Sequence, residues 1–171
     1  MAVTGHVFPQ FMPGLAASNI TLPGGTWKVA LGNAAGPIGL ATSGISTAKL
    51  FTDWTAVVTE ISGTGYTAGG VAVSSPSFTA GGSNNSIATF TSGTNPSWST
   101  ATFSANQAVL YQSSASTYQL GAFWDFGGSI SVTAATFTLT INASGLLTAT
   151  VSLVTWHFVM NVGPVPLGAN S

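Results

Sequence analysis

The sequence predicts an all-β fold: an antiparallel β-sandwich, jelly-roll-like, with one short helix and extended terminal arms. Three observations lead there. Apolar and polar residues alternate with period two over many short segments, as half-buried strands require. Clusters of Gly, Asn and Pro interrupt them at short intervals, as in sandwiches and barrels. The segments between these clusters are rich in β-branched and aromatic residues. With 171 residues the chain is long enough for one domain with a sizeable core.

Residues 1–19 carry Pro9, Pro13 and aromatics without alternation, and read as an extended arm. Phe8, Phe11 and Met12 in that arm need an apolar surface, on the chain's own core or on a neighbouring subunit. After the "PGG" turn at 23–25, "TWKVALG" (26–32) reads as a strand. "TAKLFTDWTAVVTEIS" (47–62) places Leu50, Trp54, Val57, Val58 and Ile61 at helical spacing. Thr52 or Asp53 suits a cap before Trp54, and Gly63 suits an end, giving one to three turns that plug one end of the sandwich.

Strands follow at "VAVSSPSFTA" (71–80), "SIATFTS" (86–92), "WSTATF" (98–103) and "QAVLYQ" (107–112). "YQLGAFWDF" (118–126) puts Leu120, Ala122, Trp124 and Phe126 on one face. That alternation turns Asp125 away from the core, where Lys28 or Lys49 can pair with it. "SISVTA" (129–134), "ATFTLTIN" (135–142) and "LLTATVSL" (146–153) continue the pattern. Turns are expected at 81–85, 94–96, 126–128 ("FGG") and 142–145. The organisation is then an N-terminal arm (1–19), a β-sandwich (20–154) and an apolar C-terminal tail (155–171).

Charge narrows the function. Only 3% of residues are charged, against about 25% in average soluble proteins. Two basic side chains build no phosphate-tracking patch, which argues against nucleic acid and against anionic membranes as partners. A net charge of −1 gives little repulsion between copies. A surface of Ser, Thr, Gly and Ala then favours self-association. The chain has no cysteine, hence no disulfide, thiolate nucleophile or Cys-containing zinc site. Its N-terminus lacks the basic and apolar regions of a signal peptide. The apolar stretch at 146–162 is broken by Thr, Ser and His and falls short of the roughly 18 residues of a membrane helix. Synthesis and folding in a cytoplasm are expected.

Few residues suit chemistry. In "SGTGYTAGG" (62–70), Gly63, Gly65 and Ala68 match a dinucleotide-binding fingerprint, which needs a strand before and a helix after it. Here the order is inverted, and no acidic residue follows at the ribose-binding distance. The glycines read instead as turn residues, and no cofactor is expected. Asp53 and Glu60 stand seven residues apart, about 10 Å along a helix, a separation that suits an inverting glycosidase. It suits a cap and a surface carboxylate equally well. No G-x-S-x-G elbow occurs. His6 and His157 are far apart in sequence, and no metal site is expected. Trp27, Trp54, Trp98, Trp124 and Trp156 serve either a core or, where exposed, sugar stacking. No catalytic residue is assigned, and the chain reads as a non-enzyme.

Several segments together carry a resemblance: "GHVFPQFMPGLAA" (5–17), "WKVAL" (27–31), "FTDWTAVVTEISGTGYTAGGVAV" (51–73) and "LGAFWDFGGSISVTAATFTLTI" (120–141). The chain resembles a family of small structural proteins of tailed bacteriophage virions over most of residues 5–152. The most specific part is the run Glu60–Gly70, followed by the turn Asp125–Gly128. The resemblance implies a virion component, and the expected role is capsid decoration (cement) on the head's outer surface, with synthesis in the host bacterial cytoplasm. The expected partners are the major capsid protein and further copies of the chain, as a homotrimer. The terminal apolar residues His6, Val7, Phe8, Phe11, Met12, Trp156, Phe158, Val159 and Met160 are the expected subunit or capsid contacts. The competing expectation is a tail, baseplate or fibre component that binds host carbohydrate.

Overall fold

The computed structural model describes residues 4–22, 25–81, 87–113, 118–140 and 147–150. The elements run β1 (Thr4–Val7), α1 (Phe11–Ala16), β2 (Trp27–Asn33), α2 (Phe51–Thr55), β3 (Thr59–Glu60), β4 (Val71–Ala72), β5 (Ser77–Gly81), β6 (Ile87–Thr91), β7 (Ser97–Ser113), β8 (Tyr118–Thr138) and β9 (Leu147–Thr150). The chain is all-β, antiparallel and sandwich-like. A six-stranded sheet has the order β1-β8-β7-β2-β3, with β4 also paired to β2, and a three-stranded sheet has the order β5-β6-β9.

The frame of the larger sheet is the β7–β8 pair, whose strands run for 17 and 21 residues. Sequence alternation divides this stretch into five shorter strands. The division marks places where the ladder slips but does not stop, with register shifts between Trp98 and Ala101, Ala101 and Phe103, Ala105 and Gln107, and Leu110 and Tyr111. Three of these shifts are single-residue β-bulges, where one extra residue bends a strand and reverses its alternation. At the shift between Ala105 and Gln107, residues 126–129 of β8 lie opposite Asn106 alone, so the "FGG" at 126–128 is a larger bulge inside β8, not the end of a strand.

One bulge changes which residues share a face. Leu110 pairs with Ala122 but Tyr111 pairs with Leu120, so Gly121 is the extra residue. A Cβ there would lie 3.0 Å from the Trp27 ring and 3.3 Å from the Leu110 carbonyl. Leu120 consequently packs on the opposite face from Ala122 and Phe126. The single face expected for Leu120, Ala122, Trp124 and Phe126 is broken at this glycine.

Both faces of the larger sheet are covered. On one face Trp27, Val29 and Leu31 of β2 pack with Phe103 and Leu110 of β7 and Phe126 and Phe137 of β8. Phe90 of the smaller sheet closes over Trp27, with ring centroids 5.1 Å apart. On the other face Ala30, Val109, Tyr111, Leu120 and Phe123 meet Phe8, Ile38, Ile45, Ala48, Trp54 and Val58. This double cover explains why β2 is buried nearly throughout.

The N-terminal segment folds back onto this core. β1 pairs with β8 from Thr4 opposite Asp125 to Val7 opposite Ala122. Phe8 and Phe11 are buried, at 1% and 3% exposure. Between them the chain turns into α1, a helix that the sequence reading did not anticipate. Pro13 sits in its first turn, where a missing N–H costs no intrahelical bond. The helix expected within 47–62 is the short α2, followed by β3. It starts before Trp54: Asp53 reaches back so that its Oδ2 accepts the Lys49 and Leu50 N–H groups, each at 2.9 Å.

Candidate functional site

Residues 62–70 form a loop laid flat on the sheet. Gly65 and Gly70 have φ of +78° and +69°. A Cβ on Gly65 would lie 2.7 Å from the Ser99 carbonyl oxygen, and one on Gly70 only 1.9 Å from that of Val29. Glycine is required here by both conformation and contact. The loop is held by Glu60, whose Oε1 accepts the Tyr66 hydroxyl at 2.7 Å and the Gly69 N–H at 2.5 Å. The Leu31 N–H donates to Tyr66 Oη at 3.1 Å, and the Tyr111 hydroxyl donates to the Gly69 carbonyl at 2.7 Å. Burial pushes the Tyr66 phenol above its ordinary value; the Leu31 backbone opposes this, and the hydrogen bond and charge of Glu60 add to it. The most specific segment of the sequence is therefore a fastening between loop and sheet.

A second fastening centres on Asp125, at the start of the bulge in β8. Its side chain is 8% exposed, contrary to the outward, lysine-paired position expected from alternation. Oδ2 accepts the Ile38 N–H and Oδ1 the Gly127 N–H, both at 2.7 Å. Burial opposes the charge, but these two N–H groups, the Gln107 amide and His6 outweigh it and hold the carboxyl below its ordinary value. One side chain thus ties β8 to the segment that covers the sheet.

The carboxylates of Asp53, Glu60 and Asp125 all accept backbone N–H groups. Asp53 lies in α2 and Glu60 in β3, so the shared helix face considered for a glycosidase pair is not formed. Among the described residues no three of His, Cys, Asp and Glu come together as a metal site, and no helix is long and apolar enough to cross a membrane. Trp98 is 2% exposed and stacks with Tyr66 at 6.3 Å, so it offers no platform for a sugar. Trp27 and Trp54 are equally buried.

Of the expected contact residues, Phe8 and Phe11 are corrected: they fill the protein's own core and are closed to a partner. Val7 and Met12 stay exposed, at 39% and 61%. His6 is half-buried against Phe123, at 5.1 Å between ring centroids. Trp156, Phe158, Val159 and Met160, with the tail at 155–171, lie outside the described residues. An open groove of about 320 Å³ runs between α1 and the start of β8. Its polar lining is Gln10, Asn19, Gln119 and Lys49, a set with no carboxylate, hydroxyl, thiol or imidazole.

The most distinctive surface is one that single-residue reading overlooked. Over the far half of β7–β8, Thr102, Ser129, Ser131, Thr133, Thr136 and Thr138 are exposed. Their neighbours Ala101, Phe103 and Phe137 turn inward. The result is a hydroxyl-bearing strip without a charged side chain. Comparisons with protein-family models, with curated proteins and with solved structures returned no match to this chain.

Proposed function

We propose that this chain is a structural component of a tailed-bacteriophage virion, a non-enzymatic decoration protein on the outer surface of the head. The observation that carries the reading is the uncharged hydroxyl strip on a ribbon held rigid by the two fastenings. Serine and threonine hydroxyls both donate and accept, so they adapt to many partner groups. Short side chains lose little rotamer entropy on contact. A single patch of this kind binds weakly. Repeated on a symmetric lattice and linked to its own copies, it holds by multivalency. The resemblance at 5–17, 51–73 and 120–141 supports the same reading, with the major capsid protein and further copies of this chain as partners. Exposed Val7 and Met12, away from the strip, supply separate apolar contacts.

Copy number in purified virions tests this, measured by quantitative mass spectrometry against the major capsid protein. Hundreds of copies in fixed ratio to the coat are expected. A few to a few dozen copies would move the protein to the tail, baseplate or a fibre, the competing reading.

A further inference from the structure

Among the described residues, β1 pairs with the outer edge of β8 from Ala122 to Asp125, and no strand pairs with that edge from Ser129 to Thr138. Proteins protect such edges with Lys, Pro, or bulges. Residues 126–140 contain no charged residue and no Pro. Bulges flank a regular stretch in which Ile130, Ser131 and Val132 pair in register with Ala105, Ser104 and Phe103. In it Ser131 is exposed while Ile130 and Val132 are half-buried against the core, and Ser129 and Thr133, where the flanking bulges begin, are exposed as well.

We propose that this edge is a self-association surface, where residues 129–133 pair antiparallel with the same residues of a second copy. A twofold axis at Ser131 puts Ser129 opposite Thr133, and Ile130 opposite Val132 of the other copy. The register is self-consistent: the half-buried apolar pair falls on the core face of both copies, and hydroxyl meets hydroxyl on the outer face. A second copy fits better than a charged partner strand, because no charge lies on this stretch to attract one and none repels its own image. The larger sheet would run continuously through both copies. Such a contact closes at two copies, whereas the role expected from the sequence is that of a trimer. It does not depend on capsid attachment.

The test is sedimentation equilibrium of the full chain, with Ser131→Lys and Ser131→Asp variants. Wild type is expected to dimerise. Each variant alone should be monomeric, with unchanged circular dichroism, because Ser131 is exposed in the single chain. Mixing the two should restore association as a heterodimer, since opposite charges then face across the axis. Ala41→Lys, on another exposed surface, should leave the dimer intact. A wild-type monomer would overturn the proposal, whichever other strand lies on the edge. So would a Ser131→Lys dimer, or failure of the mixture to associate. Any of these outcomes with full virion occupancy leaves the decoration reading standing.

Discussion

At the scale of single residues, Gly70 and Asp125 show two levels of legibility. The glycines of residues 62–70 are readable as turn residues without any structure, because inverted element order already speaks against a nucleotide loop. The identity of the surface they approach is not readable, since Val29 lies some forty residues away in sequence. Gly70→Ala is expected to cost about 2–3 kcal/mol, from positive φ and the approach to Val29 together. Thermal denaturation measures it, with Gly36→Ala as control, since a Cβ there meets nothing within 4 Å. Asp125 was misplaced by alternation because a bulge starts at that residue and its carboxylate turns to serve backbone N–H groups. Its folded pKa is held below the ordinary 3.8. The stabilisation is therefore complete above the unfolded value and is lost as pH falls through the folded one. Acid unfolding of wild type should show this loss below about pH 4. Asp125→Asn should remove that part of the pH dependence. It should also cost about 1–3 kcal/mol at neutral pH, because its amide cannot accept both N–H groups.

At the scale of elements, the strands were legible where a short β-branched and aromatic run stands between turn signals, as in β2 and β6. Their joining into β7 and β8 was not, because a bulge looks like a turn when only composition is read. α1 escaped notice for a related reason: two prolines suggested an irregular arm, although one of them suits a helix's first turn. The N-terminal segment supplies an edge strand and two buried phenylalanines. Deleting residues 1–19 is therefore expected to cost the protein its fixed tertiary packing, with near-ultraviolet circular dichroism lost. A deletion that leaves the domain folded and blocks only assembly would show that this segment is dispensable to the core. Large-to-small changes of buried Phe commonly cost 3–5 kcal/mol, and here two such side chains leave together with four strand pairings.

At the scale of the whole molecule, composition was the most informative signal. Five charged residues in 171 leave little for electrostatics to do between molecules. All three carboxylates accept backbone N–H groups within the fold. Attachment to particles, on the proposed reading, should change less than about twofold between 0.1 and 1 M salt, although the Debye length falls from about 10 to 3 Å. Quantifying the protein on virions after salt washing and sedimentation measures this, and stripping by 1 M salt would contradict the reading. Part of the hydroxyl strip is legible in the alternation of 135–142, which sets Thr136 and Thr138 opposite Phe137; its continuation across the bulges to Ser129–Thr133 and to Thr102 of β7 is not, because that depends on register.

The pairing of β1 with β8 has a consequence for synthesis. Thr4 meets Asp125, so β1 leaves the ribosome well before the strand it pairs with. At about 5–20 residues per second, the delay is roughly 6–24 s. Throughout it Phe8 and Phe11 have no core to enter. Chaperones that bind short apolar segments are therefore expected to raise its yield in cells, a gain that the stability of the finished fold would not reveal.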